Sequence, residues 1–285
     1  MSKFSNSWEL MKGSARVLKL DKELLVFPLL SGIATILVTV TFIAPFAFIG
    51  EGFGALEGLA DDPGYVSYTI AFLYYLALYT AMFFFNTALV GAAMIRLDGG
   101  DPTVSDGMRI ALDKLPTVLG YAAIAATIGM VLRMIEERVG FLGRIIIGLI
   151  GVSWSLATYL TVPVLVTRDV GAVDAVKESA SIFKETWGEQ VVANAGMGFA
   201  FMILFMLMTA MFVAITVVVA PINEVFMLPL AVSFLGGIVF LALVKSALEG
   251  IYSAALYRFA TTGDPGEHFN ADVMRQAFRP KKKRW

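Results

Sequence analysis

The stretch VFMLPLAVSFLGGIVFLALVKSALEGIYSAALY, residues 225–257, decides the fold. Only Lys245 and Glu249 carry charge in it. A helix of about 20 apolar residues crosses a hydrocarbon core of roughly 30 Å, so this run is long enough to span a bilayer with residues to spare. Five more runs read the same way: residues 24–50, 65–95, 117–134, 141–167 and 191–220. A water-soluble core of this size has no use for so many. The expected fold is all-α: a polytopic membrane bundle of six transmembrane helices, residues 1–285 forming one integral domain.

Composition agrees, with 58% hydrophobic residues against 16% charged and a mean hydropathy of +0.77. The formal net charge of −1 says little, but its distribution says more. Of 22 Lys and Arg residues, only Arg133, Arg138 and Arg144 fall in the loops placed outside. Positive charge beside short loops is retained in the cytoplasm, so both termini are expected there. Glu51, Glu57, Asp61, Asp62, Glu136, Glu137 and Glu224 lie on the outer side. The first apolar run starts behind a polar, helix-forming segment with no cleavage pattern after it, and reads as a retained span. There is no cysteine, which excludes disulfides and thiolate chemistry. Without a lipidation motif or organelle address, a prokaryotic plasma membrane is the simplest home.

Short amphipathic helices lie between the spans at the cytoplasmic boundary. Val173, Val176, Ala180, Phe183 and Trp187 form one apolar stripe; Trp8, Met11, Ala15 and Leu18 a second; Val104, Met108, Ala111, Leu112 and Leu115 a third. A weaker one lies near residues 269–278. Asp101-Pro102 and Asp264-Pro265 read as helix starts, with the carboxylate as cap, proline in the first turn and Glu267 as a box-like partner of Asp264.

The even spans end alike. Span two ends in Arg96 followed by Gly99 and Gly100, span four in Arg168 followed by Gly171, and span six in Arg258 followed by Gly263. The pattern predicts a threefold internal repeat of surface helix, span out and span back, closed by a last surface helix. Such parallel repeats give approximate rotational symmetry about the membrane normal.

The run Pro163-Val164-Leu165-Val166-Thr167-Arg168-Asp169-Val170-Gly171, with Ala175-Val176-Lys177-Glu178-Ser179 and Phe183-Lys184-Glu185-Thr186-Trp187-Gly188-Glu189, resembles a family of uncharacterised six-span prokaryotic integral membrane proteins. Ser7-Trp8-Glu9-Leu10-Met11 and Leu24-Leu25-Val26-Phe27-Pro28 resemble the same group. More distantly, the chain is similar to membrane domains that accompany glycerophosphodiester phosphodiesterases. The resemblance implies a topology and no activity, because the hydrolase domain is absent from this sequence.

Charge in hydrocarbon is costly and persists with a partner or a task. Lys245 and Glu249 are four apart, on one face of span six, and form either a boundary ion pair or part of a substrate or proton path. Asn86 and Asn194 lie at comparable depth and are either interhelical glue or, with Lys245 and Glu249, the lining of a polar cavity open to the cytoplasmic side. Ala242, Ser246, Gly250 and Ala254 make a row of small residues at spacing four, a helix-packing seam whose partner is in this chain or a neighbouring copy of a homo-oligomer. Ala122, Ala125, Ala126 and Gly129 mark a second seam. Pro28, Pro45 and Pro163 kink their spans or free carbonyls toward an ion.

The tail residues Arg279, Lys281, Lys282, Lys283 and Arg284, within the basic segment 266–285, are expected to hold anionic lipid headgroups at the cytoplasmic face, and no nucleic acid. No metal or cofactor is expected. The methionines of span five (Met197, Met202, Met206, Met208 and Met211) lack a histidine or cysteine beside them, and flexible packing accounts for them. His268 is the only histidine, and no phosphate-binding loop, dinucleotide fingerprint or zinc-protease helix is present. A surface carboxylate enzyme built on Asp98, Asp101 and Asp169 is weaker than their reading as turns and caps. The expectation is therefore non-enzymatic: a transporter or channel-like component, or else a structural or adaptor protein that organises lipid or recruits partners.

Overall fold

The computed structural model describes residues 3–48, 64–187, 196–219 and 224–277. Its helices are α1 (Lys3–Leu20), α2 (Val26–Phe48), α3 (Tyr65–Leu97), α4 (Val104–Asp113), α5 (Leu115–Glu136), α6 (Phe141–Ala157), α7 (Thr161–Thr167), α8 (Ala172–Trp187), α9 (Gly196–Val219), α10 (Met227–Thr262) and α11 (Ala271–Ala277). No strand occurs among the described residues. Six helical stretches are long and apolar enough to cross a membrane: Lys22–Pro45, Tyr65–Leu97, Leu115–Glu136, Phe141–Thr167, Ala200–Val218 and Met227–Thr262. The chain is a multi-pass membrane protein with an all-helical bundle.

α3 is the hub. It packs against α2, α4, α5, α7 and α10. Burial is concentrated at the end of the bundle that carries Arg96, Arg168 and Arg258, where Leu24, Phe27, Ala88 to Ala93, Leu160 to Leu165 and Ile251 to Tyr257 interlock. Toward the other end the spans turn large apolar side chains outward, among them Ile36 and Leu37 of α2, Leu149 of α6, Leu207 of α9 and Leu235 of α10. Outward-facing Leu and Ile side chains of this number match hydrocarbon, not water. On α5, Lys114 and Arg133 bracket an apolar segment about 28 Å long at 1.5 Å per residue, close to the thickness of a bilayer core of about 30 Å.

Span four is not one helix. α6 stops at Ala157, a turn covers residues 158–160, and α7 resumes at Thr161. Pro163 has no N–H to return to the preceding turn, so the ladder cannot run through. The freed groups are satisfied from outside the span: Ser179 of α8 donates to the Ala157 carbonyl at 2.7 Å and accepts from the Leu160 N–H at 3.0 Å. Non-helical backbone at membrane depth is tolerated only where protein supplies such partners.

The docked faces of the surface helices overlap the apolar stripes read from sequence, since Leu18, Val104, Met108, Ala111, Val176 and Phe183 lie in or against the core, but they centre on smaller residues beside them. On α1 the buried residues are Leu10, Gly13, Ser14 and Val17, whereas Trp8 is 52% exposed. On α4 they are Gly107 and Ala111, with Leu112 exposed, and on α8 Ala175 and Ser179, with Val173 exposed. Small residues lead because they let backbones close in. A Cβ on Gly107 would lie 2.5 Å from the Phe27 ring and 2.7 Å from the Ala88 carbonyl oxygen, and one on Gly13 would meet the Phe269 ring at 2.6 Å.

The helix starts also differ from expectation. α4 is capped by Thr103, not Asp101: the Thr103 hydroxyl accepts from the Asp106 N–H and the Asp106 carboxylate accepts from the Thr103 N–H, a complete capping box. Asn270, whose side chain accepts from the N–H groups of Asp272 and Val273, opens α11. Asp101 turns to Arg96 instead, whereas Asp264 accepts both from Arg258 at 3.2 Å and from the Gly266 N–H at 3.1 Å.

Candidate functional site

The arginines that end the even spans each hold neighbouring helix ends at one end of the bundle. Arg258 of α10 donates to the Leu97 carbonyl and to Asp98, both at the end of α3, and holds Asp264 of its own turn at 3.2 Å. Lys114, between α4 and α5, donates to the Arg168 carbonyl at 3.0 Å and to Asp169 at 3.4 Å. Arg168 donates to the Tyr257 hydroxyl on α10 at 3.3 Å and pairs with Glu178 at 2.9 Å. Arg258 thus ties α10 to α3 and Arg168 ties span four to α10 and α8, while Lys114 ties the start of α5 to the end of span four. Arg258 and Lys114 use one device, a cation that takes the carbonyl at the end of a span together with the aspartate after it. Arg96 closes the N-terminal side, pairing with buried Asp21 just ahead of α2 and with Asp101. Asp98, Asp101 and Asp169 therefore each engage a cation of the bundle.

The candidate polar residues separate into two places. Asn86 and Glu249 line one groove between α2, α3 and α10, together with Ser31, Ser246 and Tyr159; its volume is about 280 Å³. Asn86 has no hydrogen-bond partner among the described residues, so its amide is available to whatever enters. Both residues lie roughly 14 Å along their helices from Arg96 and Arg258, at 1.5 Å per residue, within the stretches long and apolar enough to cross a membrane. Lys245 pairs with Glu249 at 2.8 Å, the two side chains 40% and 42% exposed. Its own surroundings are different: Lys245 lines an apolar recess of about 330 Å³ between α9 and α10, beside Phe201, Met202 and Phe205. Asn194 lies outside the described residues, as do Arg279, Lys281, Lys282, Lys283 and Arg284.

The row of small residues on α10 divides at the groove. Gly250 and Ala254 are buried, Gly250 directly against Leu89 of α3. Ala242 and Ser246 are exposed, Ala242 on the recess and Ser246 on the groove. One row thus packs at its buried end and lines cavities at the other. Aromatic residues form a further feature of α3 that hydropathy alone does not reveal. Tyr74, Tyr75, Tyr79 and Phe83 follow one another along the helix, and the column continues to Tyr121 of α5 at a centroid distance of 4.3 Å. At its far end Arg133 donates to the Tyr75 hydroxyl at 2.8 Å.

Residues 65–267 match a family described as "Family of unknown function (DUF6159)". The chain belongs to this family. The DUF6159 match opens with α3 and closes in the turn after α10, so it includes the three arginines, Asn86, Lys245 and Glu249. Ser31 and Phe27, which complete the groove, lie ahead of it. No curated protein and no solved structure matches the chain. The likeness to phosphodiesterase-associated membrane domains therefore gains no support from these comparisons.

Proposed function

We propose that this protein is a non-enzymatic component of a prokaryotic plasma membrane that admits a small polar or amphiphilic solute into the groove between α2, α3 and α10, as a transporter or channel-like protein does. The positive-inside reading puts both termini in the cytoplasm, and with them the arginine end and the near side of the groove. One observation carries the reading: a carboxylate, a free amide and hydroxyl groups share a groove within the membrane-spanning stretches. An ionisable residue within such a stretch points to a solute or ion path, and Glu249 is one.

Absence of cysteine makes the test direct. Ser246→Cys and Ser31→Cys give single thiols in the groove. A water-soluble, membrane-impermeant thiol reagent is expected to modify both from the side of the bundle that carries Arg96, Arg168 and Arg258. Failure to modify either in a folded protein would leave the groove dry and remove the transport reading.

The structural or adaptor reading draws on a different observation, the short helices α1, α4 and α8 docked around the arginine end. They would present amphipathic surfaces to anionic lipid or to a partner. Dry thiols in the groove, with normal folding, favour that alternative.

A further inference from the structure

Given the groove as the solute site proposed above, we infer that it takes an organic ammonium ion, with the cation held by the Glu249 carboxylate and the Asn86 amide oxygen beside the rings of Phe85 and Tyr159. Glu249 is the one charged residue among the groove's lining, and its partner Lys245 lines the neighbouring recess, so a cation that displaces Lys245 meets a carboxylate in the groove. Aromatic faces carry negative quadrupole density and attract cations, most strongly where water is excluded. Asn86 adds an amide oxygen that can accept from an N–H donor. Carboxylate, aromatic rings and amide oxygen all suit a cationic group. An anionic headgroup would meet a like charge and find no cation within the groove.

Lys245 shows how the carboxylate receives an ammonium. Its Nζ lies 2.8 Å from Glu249, supplied from one turn away on the same helix, and its side chain lines the recess beside α9. It stands as an internal competitor: a ligand ammonium takes over Glu249, and the long flexible lysine arm withdraws along the apolar recess toward an interface. The exchange keeps the buried carboxylate paired throughout, which avoids the cost of an uncompensated charge in low dielectric. A volume of about 280 Å³ suits a headgroup-sized cation. The same chemistry is offered by a free amine and by the headgroup of an amine-bearing lipid.

The full chain in nanodiscs of phosphatidylglycerol, a lipid without an amine, permits the test. Binding of radiolabelled dodecyltrimethylammonium is measured for the unaltered protein, for Glu249→Gln and for Lys245→Met, with tetramethylammonium, dodecyl sulfate and dodecyl maltoside as competitors. Expected results are saturable binding, a loss of about tenfold or more in Glu249→Gln, and equal or tighter binding in Lys245→Met, where the competitor is gone. Competition by tetramethylammonium alone assigns the site to a free cation; a requirement for the alkyl chain assigns it to an amphiphile. Displacement by dodecyl maltoside or dodecyl sulfate as readily as by a cation, with Glu249→Gln unchanged, overturns the ammonium assignment and leaves the groove as a solute site. Absence of saturable binding, with Ser246→Cys also unmodified by the water-soluble reagent, overturns both.

Discussion

Arg258, near the end of α10, donates to the Asp98 carboxylate at the end of α3, 160 residues earlier in the chain. The same guanidinium takes the Leu97 carbonyl, so one side chain closes the C-terminal end of the hub helix and ties the last unit to the first. Arg258 is 21% exposed, and Asp98 is 70% exposed. Substitution Arg258→Gln is expected to cost about 2–3 kcal/mol, since it strips several charge-assisted bonds from a partly buried group. Asp98→Asn leaves the carbonyl contact in place and should cost about 1 kcal/mol or less. Thermal unfolding in a mild detergent compares the two, and equal losses would contradict the carbonyl's share.

Ser179 repairs the break in span four, so Ser179→Ala leaves the Ala157 carbonyl and the Leu160 N–H without their partner. The expected loss is about 1–3 kcal/mol. Ser179→Thr keeps the hydroxyl and separates a hydrogen-bond effect from one of volume. Unchanged stability in Ser179→Ala would mean that water or a backbone shift satisfies the broken turn.

Gly107→Ala should loosen α4 from the bundle, because the added methyl meets the Phe27 ring and a backbone oxygen of α3 that has no rotamer to change. Overpacking of this type costs about 1–3 kcal/mol. Gly32→Ala on α2 is the control: a Cβ at that position meets nothing within 4 Å, and helix propensity favours alanine by about 0.5–1 kcal/mol. Opposite signs for the two substitutions are expected in the same unfolding assay.

The capping box of α4 sets a pH dependence. The Asp106 carboxylate accepts from the Thr103 hydroxyl and, at 3.0 Å, from the Thr103 N–H, and these bonds hold its pKa below the ordinary 3.8. A lowered folded-state value means that folding favours the ionised form. The contribution is complete above the unfolded-state pKa and is lost as pH falls through the lower folded value. Thr103→Ala should therefore cost about 1 kcal/mol near neutrality, and the gap from the unaltered protein should shrink in acid. A gap constant down to about pH 2 would contradict the box.

Sidedness follows from the positive-inside distribution. Phe141→Cys at the start of α6 and Thr262→Cys at the end of α10 should be modified by an impermeant thiol reagent from opposite faces, Thr262→Cys from the cytoplasm. Modification of both from one face would break the assigned topology.

The six spans are legible in the sequence because hydrocarbon imposes a rule on length and polarity that any 20-residue window either meets or fails. The predicted run 65–95 and the helix Tyr65–Leu97 differ by two residues at one end only. The arginine repeat is legible too, since Arg96, Arg168 and Arg258 stand at the ends of apolar runs. What each arginine touches is not. Asp101 has a good capping sequence, and nothing in the sequence signals that Arg96 takes it; Asp264 is divided between the Arg258 guanidinium and the Gly266 N–H. The docking faces of α1, α4 and α8 are legible in part, since Leu18, Ala111 and Val176 of the stripes lie in or against the core, but hydropathy also weights Trp8, Leu112 and Val173, whereas close packing selects Gly13, Gly107 and Ala175. The break at residues 158–160 has Pro163 as a signal, but Ser179, which makes it tolerable, is one serine among many. Of the four residues expected to line a cavity, Asn86 and Glu249 share a groove; the i,i+4 rule that pairs Lys245 with Glu249 does not tell which side of α10 the lysine occupies.

The uneven distribution of packing has a mechanical consequence. With its tight interlocking confined to one rim, the molecule is a clamped collar carrying loose staves, and the outer lengths of α6, α9 and α10 rest on lipid more than on one another. Staves held at one end can lean to match a thicker or thinner bilayer, at a cost of only fractions of a kcal/mol per Å of mismatch, while the collar keeps its shape.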